Sequence, residues 1–216
     1  KMSARAFGSR ARTPSARAGV ELEVLSEEPR VVHARGALTD EECDALIELG
    51  ESNRLVSKNT PDGTTQVAKG TSIAEDQARE SELASSVLRK MAGLLGIPVS
   101  HAEALQIIQY GVGDRYKPHH DNFFEEPDDW RRTESRPSDR IVSMLIYLST
   151  PEAGGHTIFP LVPKDAGATA AAKMEELRWD TEAEFAGMCD ESTGALRVAP
   201  RKGDVLWFWD YGANER

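Results

Sequence analysis

From Val20 to Leu25 apolar and polar residues alternate, the period of a half-buried strand, and Val31 to Ala34 is a second short apolar run. The period then lengthens. Cys43, Leu46 and Ile47 share one helical face behind Thr39, a capping residue with Glu42 three positions on, and Asp40 and Glu41 suit the positive end. Gly50 is the expected stop. A second helix is predicted over 75–95, where Leu83, Val87, Leu88, Met91 and Leu95 recur at helical spacing and Gly96 and Pro98 close the run. Between the helices Asn59 to Gly63 reads as a turn.

Past Ala104 the period becomes that of strands. Leu105–Tyr110 and Tyr116–Phe124 read as strands, Ile141–Leu148 as a buried one, and Gly154-Gly155 as a turn into a strand at His156–Phe159. Leu196–Val198 and Val205–Trp209 flank a turn at Pro200–Gly203. The stretch Glu125–Arg140 is charged, holds two prolines and reads as a loop, either a lid over a site or a solvated connection. Ala166–Leu177 reads as a surface helix. Helices followed by many short strands, with no internal repeat, predict an α+β fold in which helices pack on a sandwich or barrel.

Composition narrows the function. The chain has 216 residues, 39% apolar and 29% charged, enough for one domain with a core. No run of eighteen apolar residues exists, so no membrane-spanning helix is expected. Residues 1–20 carry five basic groups (Lys1, Arg5, Arg10, Arg12, Arg17) and no acid, whereas the other 196 carry 21 basic against 36 acidic. An acidic body of that kind lacks the basic face of a nucleic-acid binder. The domain division expected is therefore a basic tail at 1–20 and a domain at 21–216. The tail is rich in Arg, Ser and Ala and without an apolar core, like an organelle transit segment or a disordered basic tail. Two cysteines, Cys43 and Cys189, make no disulfide framework or zinc motif. Cys43, on an apolar helix face, reads as a small core residue.

The chemistry-bearing stretch is YKPHHDNFF, Tyr116 to Phe124. In a strand, side chains two positions apart point the same way. His119 and Asp121 would then share a face with His120 on the other, supplying two legs of the 2-His-1-carboxylate set that binds non-haem Fe(II). A lone H-x-D is also what a surface pair or a hydrogen-bonded turn shows.

Around it, "LQIIQYGVGDRYKPHHDNF", "RIVSMLIYLSTPEAGGHTIFP" and "VAPRKGDVLWFW" follow in order, after a helix start "LTDEECDALIELG". Together, over roughly residues 22–210, they resemble the prolyl 4-hydroxylase family of Fe(II)- and 2-oxoglutarate-dependent dioxygenases. The resemblance implies a double-stranded β-helix (jelly roll) with N-terminal helices packed on it. It implies hydroxylation of peptidyl proline with decarboxylation of 2-oxoglutarate to succinate, and ascorbate as the agent that keeps iron reduced. Carried over, His119 and Asp121 are the first two iron ligands. Tyr110, Thr157 and Tyr147 line the 2-oxoglutarate pocket; the bare alternative is that the two tyrosines are core aromatics and Thr157 an ordinary strand residue.

Two departures qualify the likeness. The family's second histidine ligand and its 2-oxoglutarate lysine follow the strand at Val205–Trp209, and His33, His101, His120 and His156 do not occupy that place, so a longer natural chain is expected. His156 stands where G-G-E-T has Glu, and "AKGTSIAEDQ" puts Lys69 and Gly70 ahead of Thr71-Ser72 where relatives carry R-T-S. The alternative function is an inactive jelly-roll scaffold or assembly subunit, with residues 1–20 joining a larger assembly. The compartment implied by the family is the endoplasmic reticulum or another organelle.

Overall fold

The structure is a computed structural model, and it describes residues 15–17, 19–53, 56–58, 68–73, 81–116, 118–122, 140–164, 187 and 193–210. The turn expected at 59–63, most of the charged loop 125–140, the surface helix at 166–177 and Cys189 lie outside the described residues. Ten strands and two α-helices are described: β1 (Ser15–Arg17), β2 (Val20–Glu27), β3 (Arg30–Arg35), α1 (Asp40–Ser52), β4 (Val56–Lys58), β5 (Ala68–Ile73), α2 (Glu82–Leu95), β6 (Leu105–Tyr110), β7 (Val142–Ile146), β8 (Thr157–Pro163), β9 (Ala195–Val198) and β10 (Val205–Trp209). No helix among the described residues is long and apolar enough to cross a membrane.

A five-stranded antiparallel sheet in the order β1-β2-β3-β10-β7 organises the molecule. Opposite residues in the register share a face. Val205 lies between Ala34 and Ile146, and Trp207 between Val32 and Met144. These six face α1 and α2, packing with Cys43, Leu46, Val87, Met91 and Leu94. The alternate positions Val31, Leu206 and Phe208 face the other way, onto the β8-β9 ribbon through Val162, Leu196 and Val198. The result is three layers: helices, sheet, ribbon. The third group, β4-β5-β6, packs Ile107 beneath α1.

Both helices carry the caps their sequences announce. The Thr39 hydroxyl accepts from the Glu42 amide at 3.2 Å, and the Glu42 carboxylate accepts from the Thr39 amide at 2.8 Å. Lys90 of α2 reaches both Glu42 oxygens, at 2.7 and 2.8 Å, so one carboxylate caps α1 and ties it to α2. The Ser81 hydroxyl caps α2, and Gly96 ends it in a left-handed conformation. The helix begins at Glu82 behind the extended Ser81 and is not one run from Glu75; residues 75–80 lie outside the described residues.

Several expectations are corrected. Gly50 does not stop α1, which runs on to Ser52. A Cβ at Gly50 would meet Ile107 Cγ2 at 2.8 Å, so the residue is glycine to admit β6. β4 and β5 were not foreseen because VSK and AKGTSI have no apolar alternation; β5 is extended by pairing with β6, and β4 by pairing with β5. Ser15–Arg17, inside the expected tail, pairs with β2 as a hairpin. Most consequentially, residues 118–122 are not strand, against the expectation for Tyr116–Phe124.

A buried hydrogen-bonded cluster locks the end of the large sheet. His33 Nε2 lies 2.9 Å from Asp204 Oδ2, and the Gly36 amide donates to Asp204 Oδ1 at 2.9 Å. The Gly203 carbonyl accepts from Leu38 at 2.9 Å, while its amide donates to the Tyr147 carbonyl at 2.8 Å. Gly203 has φ +86° and a Cβ there would meet the Leu38 carbonyl oxygen at 2.5 Å, so only glycine closes this turn. His33→Ala leaves the buried Asp204 side chain without its imidazole partner, and the fold should lose about 1–3 kcal/mol. Denaturant titration would read that loss; a change under 1 kcal/mol would mean the pair holds nothing.

Candidate active site

The helices cover one face of the large sheet completely, but the β8-β9 ribbon covers the other only in part. On that second face β7 presents Ser143 and Leu145, and the alternation continues to Tyr147. Leu145 is an exposed apolar side chain here, and Tyr147 is packed among the ribbon-side residues. This face of β7 is therefore a ruler about 13 Å long, open at Ser143 and closed at Tyr147.

Each end of the ruler holds a pair of the residues singled out from the sequence. At the open end His119 Nε2 and Asp121 Oδ1 lie 3.1 Å apart, with side chains 38% and 23% exposed. Since 118–122 is a bend, the pleat does not bring them together; tertiary contacts do. The Tyr116 ring lies against the His119 imidazole, centroids 3.9 Å apart and planes at 41°. Arg140 holds Glu103 through both carboxylate oxygens, at 2.7 and 2.9 Å, and its Nη1 donates to the Asp121 carbonyl at 3.4 Å. The Ser143 hydroxyl sits between the Asp121 carboxylate and Asp210 Oδ2, the latter at 3.3 Å. Asn122 donates to the Asp210 carbonyl at 3.1 Å. His120 is exposed.

These contacts set the charge. Burial acts to raise the Asp121 pKa, but hydrogen bonds from His119 and Ser143 and the nearby charges of His119 and Arg140 outweigh it. The carboxyl is held below the ordinary range and is ionised at neutral pH, as a metal ligand must be.

At the closed end the Tyr147 and Thr157 hydroxyls are 2.8 Å apart. Burial pushes the Tyr147 phenol up to about 12, partly relieved by the Thr157 hydrogen bond. The phenol stays neutral and can donate to an anion. Tyr110 ends β6 with 46% of its surface exposed and belongs to neither pair. The structure thus assembles four of the five residues as two pairs. Sequence reading missed Arg140, Ser143, Asn122 and Asp210. The charged segment before β7 hid Arg140, and polar residues beside a predicted strand carry no signal of their own. Cys43 is a free, fully buried thiol whose pKa burial pushes up, as expected of a core residue.

The site fits a metal in part. A separation of 3.1 Å suits two adjacent ligands each about 2.1 Å from a shared octahedral ion. Among the described residues no group of three or more His, Cys, Asp or Glu side chains gathers there.

The family follows from comparison with known proteins. A model of the 2OG-Fe(II) oxygenase superfamily matches residues 105–214, the segment that carries both pairs. This chain belongs to that superfamily. Within it, the relatives place it in the prolyl 4-hydroxylase family: it is 31% identical over 195 residues to "Probable prolyl 4-hydroxylase 8" of Arabidopsis thaliana, covering 87% of this chain and 60% of that protein. It is 30% identical over 196 residues to prolyl 4-hydroxylase 5 of the same plant, covering 88% and 60%. The chain therefore spans about 60% of the length of these curated relatives. Among solved structures it resembles a viral collagen prolyl hydroxylase from Paramecium Bursaria Chlorella virus-1, in complex with 2OG. The TM-score is 0.50 at 21% identity, covering 83% of this chain and 77% of that one, a likeness of fold.

One consequence of the closed end is testable by ultraviolet difference titration. An unfolded tyrosine ionises near pH 10, so Tyr147, at about 12 in the fold, should ionise last. Because its folded pKa is raised, Tyr147's contribution to stability is fully present below about pH 10 and is lost as the pH rises toward 12. Thr157→Val removes the hydrogen bond that lowers this pKa and should push the late transition higher still. Simultaneous ionisation of all tyrosines near pH 10 in the folded protein would refute the assignment.

Proposed function

We infer that this protein is an Fe(II)- and 2-oxoglutarate-dependent dioxygenase that hydroxylates proline in a peptide or protein chain. The observation that carries the reading is the convergence of His119 and Asp121 at 3.1 Å on the uncovered face of the large sheet. His119 Nε2 and Asp121 Oδ1 are assigned as two of the three iron ligands. A ferrous ion there would be held by an unprotonated His119 Nε2 and the ionised Asp121 carboxylate. No third ligand is assigned among the sequence's other histidines, His33, His101, His120 and His156. Bound there, iron and 2-oxoglutarate would activate dioxygen, the oxidant, one oxygen atom going to succinate with loss of carbon dioxide and the other to the proline C–H bond, and ascorbate is assigned the upkeep of the ferrous state.

The chain's own residues do the rest. Ser143 and Arg140 keep the Asp121 carboxylate ionised and oriented. Tyr147, a neutral donor placed by Thr157, and Tyr110 are assigned to the carboxylates of the co-substrate. Leu145 between the two ends supplies an apolar floor that excludes water. For the fold, the large sheet and the β8-β9 ribbon are read as the two sheets of a jelly roll, which the antiparallel pairing and the viral neighbour support. The family relationships do not favour the scaffold alternative.

The test is made on the full-length protein with ferrous iron, 2-oxoglutarate and a proline-rich peptide. Succinate should appear in step with hydroxyproline. Outer-shell partners of a metal cost about 10–100-fold when removed, so His119→Ala and Asp121→Ala should each cost more than roughly 100-fold. Succinate release that is indifferent to both substitutions would sink this reading.

A further inference from the structure

The H-x-D pair lies in a bend, so something other than strand pleat must fix its geometry. The residue that follows it is the natural place to look. Asn122 donates from Nδ2 to the backbone carbonyl of Asp210, 88 residues away at the end of β10, at 3.1 Å. The orientation of that amide is forced: turned over, its oxygen would face the carbonyl oxygen. Asn122 Oδ1 is meanwhile buried without a hydrogen-bond partner. A buried unpaired acceptor costs stability, and an apolar side chain of similar volume would avoid that cost. Stability alone therefore does not account for asparagine here; the single directed bond to Asp210 does.

Asp210 is itself bound to the pair. Its amide donates to the Ile141 carbonyl at 2.9 Å, and its Oδ2 lies 3.3 Å from the Ser143 hydroxyl, which also contacts the Asp121 carboxylate. Arg140, next to Ile141, reaches the Asp121 carbonyl from the other side. The bend is thus clasped on the corner where β7 begins and β10 ends, with Asn122 reaching the end of β10.

We propose that Asn122 is a positioning residue: by docking the 119–121 bend on the end of β10 it holds His119 Nε2 and Asp121 Oδ1 at ligand spacing before any metal arrives. It touches neither metal nor substrate, and acts through Asp121. The inference rests on the iron-site reading above and adds the residue that preorganises the site.

The test uses the full-length protein and Co(II) alone, whose visible absorption reports coordination. In the parent, Co(II) binding should be abolished by His119→Ala. Asn122→Ala should weaken Co(II) about tenfold, the range for a residue that orients a ligand. The unfolding midpoint of the metal-free variant should stay within about 2 °C of the parent. Asn122→Ser, whose hydroxyl is too short to reach the Asp210 carbonyl, should behave alike. A folded variant that binds Co(II) as the parent does overturns the proposal and leaves the iron site standing. Loss of fold in both variants also overturns it, since Asn122 would then be structural. Parent binding that ignores His119→Ala overturns the iron-site reading and this proposal with it.

Discussion

The carboxylate of Asp204 holds the molecule's frame. One of its oxygens meets His33 and the other the Gly36 amide, while the backbone of Asp204 and Gly203 pairs with Tyr147. A buried hydrogen bond of this kind adds little net stability over apolar groups of the same shape, but leaving one partner unpaired is costly, and its value here is register. Because side chains alternate along a strand, a slip of one residue in β10 would turn Val205 and Trp207 away from the helices and Leu206 and Phe208 toward them. Anchoring Asp204 at the strand's first turn excludes that slip. It also fixes Tyr147, and so the closed end of the site, to the same corner.

From this frame the site's asymmetry follows. One face of the sheet is sealed by α1 and α2 over a dense apolar core. The other is sealed only at one end, by the β8-β9 ribbon. Chemistry that needs a neutral donor shielded from water would find it where Tyr147 is packed against the ribbon side. Chemistry that needs open coordination positions finds them where His119 and Asp121 remain partly exposed. Both ends sit on β7, whose two-residue repeat sets their spacing.

The bend that carries His119 and Asp121 illustrates how a motif and its geometry can be separate facts. Alternation in a strand would have placed the two side chains on a common face without help. Instead Arg140, Ser143 and Asn122 draw the bend against the strand ends, and the spacing results from contacts across 19 to 88 positions of sequence. The correct pairing was legible; the reason for it was not.

What the chain determined locally is what short-range physics decides. Thr39 and Glu42 close a capping box within four residues, Gly96 ends α2, and the run Val205–Trp209 alternates between two apolar faces, so all three could be read from neighbours alone. Four motifs in order were enough to place the chain in its family and to name the four residues that pair. Tertiary structure alone decided that Gly50 lies inside a helix, because the crowding comes from Ile107. It alone made strands of β4 and β5, which extend because β6 offers hydrogen bonds to β5 and β5 in turn to β4. It alone made ligand spacing out of a bend, because hydrogen bonds and close packing act through space between residues whose separation along the chain leaves no periodic trace.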